Sequence, residues 1–283
     1  MIGVFDSGFG GLTILKDIRR LLPEYDYMYL GDNARTPYGT RSFDVVYAYT
    51  LEAVSYLFSH GCSLIVLACN TASAKALRTI QQNDLARLVP LFPDGLPQKR
   101  VLGIIRPTVE AVGALTRTGH IGVLATQGTV DSLSYPLEIK KINPDIVVSQ
   151  QACPMWVPLV ENAEFDLPGA DYFVDKYLRQ LLAQDPLIDT VLLGCTHYPL
   201  LVNKIRSSLD TLTRDNGQPV SVLTQGDIVA RSLKDYLFRH PEIESSCTKG
   251  GSCLYLTTES EQKFRCSASV FMDEDIDVHH IDL

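Results

Sequence analysis

At 283 residues the chain is long enough for two domains of ordinary size, or for one large one. With 46% hydrophobic residues, 20% charged residues and a formal net charge of −8, it has the composition of a globular protein in water and not of a nucleic-acid binder, since duplex binding rests chiefly on Lys and Arg neutralising phosphates. No apolar run approaches the roughly 20 residues that a membrane span needs, and Met1 to Asp6 carry neither a charged n-region nor a cleavage site, so the expectation is a cytoplasmic protein with no membrane partner.

The chain opens with Gly3-Val4-Phe5-Asp6-Ser7-Gly8-Phe9-Gly10-Gly11, a short strand that ends in an acid, a serine and a glycine-rich turn. Leu12, Leu15, Ile18 and Leu22, at spacings of three and four, then predict a helix that Pro23 ends. The turn lacks the Gly-Lys-Ser/Thr ending of a phosphate loop, and an aspartate at the strand end would repel a phosphate. Asp6 is suited to accept a proton or bind an ammonium group, or else Asp6 or Ser7 simply caps the helix. Tyr27 to Leu30 predicts a second strand running into the polar loop Gly31-Asp32-Asn33-Ala34-Arg35-Thr36-Pro37-Tyr38-Gly39. Ser42 opens a helix that Gly61 closes. Leu64-Ile65-Val66-Leu67-Ala68 is an apolar run without polar alternation, as in a strand covered on both faces, and Cys69-Asn70-Thr71 follow at its end, with a helix from about Ala72. Strand and helix alternate throughout, which predicts an α/β layer with a parallel sheet.

Between Asp84 and Arg100 periodicity fades, and Pro90, Pro93, Gly95 and Pro97 read as a linker. A fresh strand is expected from Val101 to Ile105, then a helix with Pro107 in its first turn, then Ile121-Gly122-Val123-Leu124-Ala125-Thr126-Gln127, which echoes residues 2–8. Ile146 to Val148 is a further strand, and Cys153 to Glu161 is a proline-interrupted apolar segment whose terminal Glu161 reads, on residue type alone, as solvated surface. A helix over about 169–182 precedes the second cysteine run, Val191-Leu192-Leu193-Gly194-Cys195-Thr196-His197-Tyr198-Pro199-Leu200. From Asp6 to Cys69 is 63 residues and from Thr126 to Cys195 is 69, so the chain contains the same strand-end arrangement twice. Beyond Asp210 it looks set to return to the first half. The expected organisation is two pseudo-symmetric α/β domains, residues 1–98 with 211–283 and residues 99–210, each a mainly parallel sheet flanked by helices.

Seven cysteines, at 62, 69, 153, 195, 247, 253 and 266, form no Cys-x-x-Cys pair and read as reduced thiols, most of them small buried hydrophobes. Cys247, Cys253, Cys266, His279 and His280 match no compact metal-ligand spacing, so no metal is expected. A cysteine where a strand hands over to a helix is different, because helical N–H groups favour the thiolate. One such thiolate suggests a nucleophile, with His197 near Cys195 as its companion. Two in equivalent places suit a reaction that removes a proton from one side of a carbon and returns another to the opposite side. A two-lobed binding protein and a thiol redox protein are the competing readings: the first leaves the paired thiols idle, and the second is weakened by the lack of a Cys-x-x-Cys motif.

Asp6-Ser7-Gly8, Pro37-Tyr38-Gly39, Cys69-Asn70-Thr71 and Gly194-Cys195-Thr196-His197-Tyr198-Pro199-Leu200, in that order, resemble the motifs of the cofactor-independent aspartate/glutamate racemase family. The resemblance implies an active site in an interdomain cleft, with glutamate between Cys69 and Cys195, held by Asp6, Ser7, Tyr38, Gly39, Asn70, Thr71, Thr196 and His197. It implies catalytic roles for Cys69 and Cys195, with Asp6, His197, Glu161 and Asp32 as supporting acid/base groups. It further implies no cofactor, a homodimer, and a role in supplying D-glutamate for cell-wall peptidoglycan. Glutamate is favoured over aspartate because a histidine follows Cys195-Thr196. The chain departs from the family's pattern in its longer proline-rich connection between Asp84 and Arg100.

Overall fold

The computed structural model describes residues 1–91, 98–213, 219–272 and 276–283. Pro93, Gly95 and Pro97 of the expected linker lie outside the described residues. The chain forms two compact units, Met1–Ile104 with Gly226–Leu283 and Ile105–Gln225.

The first unit is built on β1 (Ile2–Asp6), β2 (Tyr27–Gly31), β3 (Leu64–Leu67), β4 (Arg100–Gly103), β9 (Cys253–Thr257) and β10 (Val278–His280). Their order in the sheet is β10-β9-β2-β1-β3-β4, and every neighbouring pair is parallel. Every residue of β1, β2 and β3 is buried, as their unalternating Val, Ile, Leu and Tyr content predicts for strands covered on both faces. Helix α1 (Gly11–Leu21) buries Leu12, Ile14, Leu15 and Ile18, each contributing about 1.5–3 kcal/mol of transfer free energy, and packs along the helix Gly226–Arg239. Helix α2 (Phe43–Ser59) begins where Val45 N–H donates to the Ser42 hydroxyl, 3.4 Å away, and ends before Gly61, whose φ of +90° is one that side-chain-bearing residues rarely adopt.

The second unit has four strands, β5 (His120–Ala125), β6 (Val147–Ala152), β7 (Thr190–Gly194) and β8 (Ser221–Leu223), in the order β6-β5-β7-β8 and again all parallel. Its topology repeats that of β2-β1-β3-β4 in the first unit. In each, the chain leaves a central strand, pairs the next strand on one side, then crosses to the other. The carboxyl end of such a switch point is where ligands collect in open α/β sheets.

Two strands belong elsewhere than their sequence neighbourhood suggests. β4, expected to start the second domain, pairs with β3 of the first sheet in the register Ile65 to Val101. β8, expected to return to the first domain, pairs with β7 in the register Val191 to Val222. The unit boundaries therefore fall at Ile104 and Gln225, after the fourth strand of each repeat, where the sequence reading had put them near 98 and 210. A four-residue and a three-residue strand at a sheet edge carry too few side chains to announce their partner. No helix among the described residues is long and apolar enough to cross a membrane.

Candidate active site

In the first unit the site is assembled from the carboxyl ends of β1, β2 and β3. Phe5 stands opposite Leu67, so one residue further on Asp6 stands beside Ala68, and Ser7 can reach the cysteine that follows. The Ser7 hydroxyl lies 3.3 Å from the Cys69 sulfur, and the Ala72 N–H donates to the same sulfur over 3.4 Å. Cys69 is the N-cap of α3 (Asn70–Lys75), the helix whose first turn holds Asn70 and Thr71. Asn70, Thr71, Ser7 and Asp6 are all buried.

Neither Asp6 nor Ser7 caps α1, whose N-cap is Gly10 without a side-chain bond. The Asp6 carboxylate instead turns back on its own loop and accepts the Gly8 N–H at 2.9 Å, while the Gly8 carbonyl accepts the Tyr29 hydroxyl at 2.9 Å. The loop is thus gripped from both ends. Burial first, then the nearby Asp6 and Cys69 charges, hold the Tyr29 phenol protonated far above its usual range. Tyr29 was not singled out from sequence, where it reads as one more aromatic strand residue.

Asp32 follows β2 and is fully buried. One oxygen accepts from Arg35 Nε at 2.9 Å and from the Thr258 hydroxyl at 2.9 Å, and the other accepts Arg35 Nε at 2.7 Å and the Tyr38 hydroxyl. Arg35 continues to Glu52 at 2.5 Å and stacks 4.1 Å above the ring of Tyr49. This network fixes the Tyr38–Thr40 turn that contains Gly39. The Tyr38 hydroxyl is committed to Asp32, so the ring and the turn's backbone are what Tyr38 and Gly39 present to a ligand.

In the second unit Cys195 follows β7 as Cys69 follows β3, and Ala125 stands opposite Gly194 as Asp6 stands beside Ala68. The counterpart of Ser7 is therefore Thr126, which caps the helix Gln127–Asp131 by accepting the Thr129 N–H at 3.4 Å. The Cys195 sulfur lies 3.8 Å from Nδ1 of His197, and Nε2 of the same ring lies 3.1 Å from Glu161 Oε1. Glu161 is not solvated surface: it completes a thiol, imidazole and carboxylate chain. Burial opposes charge on the His197 ring, but the bonds to Cys195 and then Glu161 outweigh it and raise its pKa to about 10. An imidazolium at the sulfur stabilises negative charge there. Thr196 and His197 are both buried.

Glu161 reaches His197 because the helix that carries it, Trp156–Glu161, is locked. Pro158 falls in its first turn, where no N–H is lost to the ladder. The buried Trp156 donates to the Phe173 carbonyl at 3.3 Å and meets Tyr198 edge-on at 4.7 Å, and the Tyr198 hydroxyl donates to the Cys153 carbonyl at 3.2 Å. Cys153 itself is a packing residue; burial, then the neighbouring Cys195, keep its thiol protonated. All seven cysteines are free thiols, and no group of three or more His, Cys, Asp or Glu among the described residues could hold a metal ion.

Residues 2–233 match the model of the Asp/Glu/Hydantoin racemase family. A glutamate racemase of Geobacter metallireducens is 39% identical over 258 residues, covering 91% of this chain and 83% of that protein. One from a Ruegeria species is 35% identical with 97% of each chain covered. Among solved structures, a glutamate racemase isoform of Bacillus anthracis superimposes with a TM-score of 0.85 at 32% identity, over 100% of this chain and 97% of the other. The Francisella tularensis enzyme in complex with D-glutamate does so with a TM-score of 0.83 at 29% identity, over 99% and 97%.

Proposed function

The chain belongs to the Asp/Glu/hydantoin racemase family and is an amino-acid racemase, and on that premise we propose that it interconverts L- and D-glutamate by proton transfer between two cysteines. The choice of glutamate is supported by the relatives named glutamate racemase and by the D-glutamate complex among the structural neighbours. The mechanism rests on one observation, the duplicated switch point with a buried cysteine at the same strand end in each unit.

In one direction the Cys69 thiolate takes the α-proton and the C–H electron pair moves into the α-carboxylate. The Cys195 thiol then gives its proton to the opposite face of the carbon, leaving the enantiomer bound and the negative charge on the second sulfur. The reverse reaction exchanges the roles. Ser7, Asn70, Thr71, Thr196 and backbone N–H groups supply neutral donors to the substrate's carboxylates, and such fixed donors stabilise the charge that develops as the proton leaves. Asp6 accepts from the ammonium group. His197, held by Glu161, serves Cys195 as Ser7 serves Cys69. Asp32 we assign to bracing Tyr38 and Gly39, since both of its oxygens already accept hydrogen bonds. D-glutamate for peptidoglycan is the use we propose for the product, and a homodimer the assembly, which light scattering would measure.

In heavy water each enantiomer should acquire deuterium at the α-carbon as it racemises, and Cys69→Ala and Cys195→Ala should each abolish racemisation. Full activity in either variant would refute the two-thiol scheme. Tight glutamate binding without exchange would mark a binding protein instead.

A further inference from the structure

The two thiols are supported differently from below. In the first unit the residue before the cysteine is Ala68; in the second it is Gly194, and a Cβ there would come within 3.2 Å of both the Leu124 carbonyl and Cε2 of the Tyr135 ring. Tyr135, on the helix Ser134–Ile142, is thus pressed against the last strand residue before Cys195 and is fully buried. Its hydroxyl accepts a hydrogen bond from the Gln225 side-chain amide at 3.0 Å, and the same amide donates to the Thr108 hydroxyl at 3.0 Å. Thr108 and Gln225 are buried as well. Thr108 stands in the helix Ile105–Val112, which opens this unit, and Gln225 is the unit's last residue.

We propose that Gln225 is a positioning residue for Cys195, acting through the Tyr135 ring that underlies Gly194. A buried amide that bonds two partners has one preferred placement, because each donor it fails to use is left desolvated. A phenol bonded at its hydroxyl cannot tilt its ring freely, and a glycine in contact with that ring cannot shift toward it. The sulfur one residue on inherits that fixed height. General base catalysis is sensitive to such placement, with about 1 Å of error costing up to about a hundredfold.

The inference rests on the two-thiol racemisation proposed above and is tested on the full chain by Gln225→Met, which removes both bonds at similar volume, and Tyr135→Phe, which keeps the ring and removes only the hydroxyl. The equilibrium between enantiomers has a constant of one, so kcat/KM must remain equal in the two directions, and a fault confined to Cys195 lowers both alike without showing which thiol is at fault. That shows in isotope effects. With α-deuterated substrate, the enantiomer whose deuterium Cys195 removes should show a larger isotope effect on kcat/KM, because that step becomes more limiting. The other enantiomer, deprotonated by Cys69, should show a smaller one, because the later protonation by Cys195 now limits. Both variants should lower kcat/KM by about tenfold with these opposite changes. A drop in kcat/KM with isotope effects that stay put or move together, or unchanged kinetics in folded Tyr135→Phe protein, would overturn the positioning role. Absence of racemisation in the unaltered enzyme would instead sink the underlying reading.

Discussion

At the scale of single residues, His197 shows how neighbours override burial. An isolated imidazole with 5% of its surface exposed would stay neutral, yet the sulfur on one nitrogen and Glu161 on the other hold the proton to about pH 10. In Glu161→Gln the acceptor becomes neutral, so the His197 titration followed by NMR should move well below that value, and turnover at neutral pH should fall by roughly 10²-fold as Cys195 loses its charged partner. Stability follows by linkage. The folded pKa lies above the unfolded value of about 6.5, so the contribution of the bound proton is complete below that pH. It drains away by about 1.4 kcal/mol per pH unit as the pH rises toward 10, the limit set by the folded pKa. The urea-midpoint advantage of the unaltered chain over Glu161→Gln should accordingly shrink across that window, and a constant advantage would contradict the assignment. Cys69, Cys195 and His197 stood out in sequence because the strand-end cysteine occurs twice in equivalent places and a histidine stands two residues from the second. Glu161 was named only by the family resemblance, since on residue type a carboxylate after an apolar helix looks like surface until Trp156 and Tyr198 are seen to turn that helix inward. Tyr29, Tyr135 and Gln225 were silent because each acts through one hydroxyl or amide whose partner is distant in sequence.

At the scale of elements, the legible features were those with a local cause. The β1 and β3 runs, the Ser42 cap and the echo between residues 2–8 and 121–127 all follow from composition and spacing, and the echo coincides with the register that places Ser7 and Thr126 in equivalent positions. The turn after β1 was read only in part. The sequence argued against a phosphate cradle and left Asp6 or Ser7 as a possible helix cap, whereas Gly11 serves to let α1 approach the Asp6 side chain. A Cβ on Gly11 would lie 2.5 Å from the Asp6 Cβ and 3.2 Å from that of Ala68. Neither neighbour is a flexible tip that could swing aside. Gly11→Ala should therefore push Asp6 off the Gly8 N–H, costing about 1–3 kcal/mol in stability by overpacking and raising KM for glutamate. An unshifted thermal midpoint together with unchanged kinetics would mean that Asp6 does not need its present seat.

At the scale of the whole molecule, the family model spans both four-strand repeats but stops before the strands that complete the first sheet. The family match ends at residue 233, yet the first sheet is completed by β9 and β10, which come later. β9 covers the open side of β2 in the register Tyr27 to Cys253 through Gly31 to Thr257, and the residue after it, Thr258, donates to Asp32. The helix Gly226–Arg239 covers α1. The return to the first half was legible in sequence, but the partners were not, because β9 pairs with β2, and the helix Gly226–Arg239 packs on α1, across more than 200 residues of chain. Truncation after Gln225 keeps all four matched motifs and both thiols, and a purely motif-based view expects it to work. Physical reasoning expects the opposite. Removing β9 leaves the five buried residues of β2 as an unpaired, apolar sheet edge, the arrangement that recruits strands from other chains, and strips the cover from the buried face of α1. The Asp32 brace loses one of its donors in the same cut. The 1–225 fragment should elute as aggregates on size-exclusion chromatography, lack a cooperative thermal transition and show no racemisation. A monomeric fragment of that length with measurable turnover would mean that the duplicated four-strand unit is sufficient by itself and that the final strands serve some purpose other than closing the sheet.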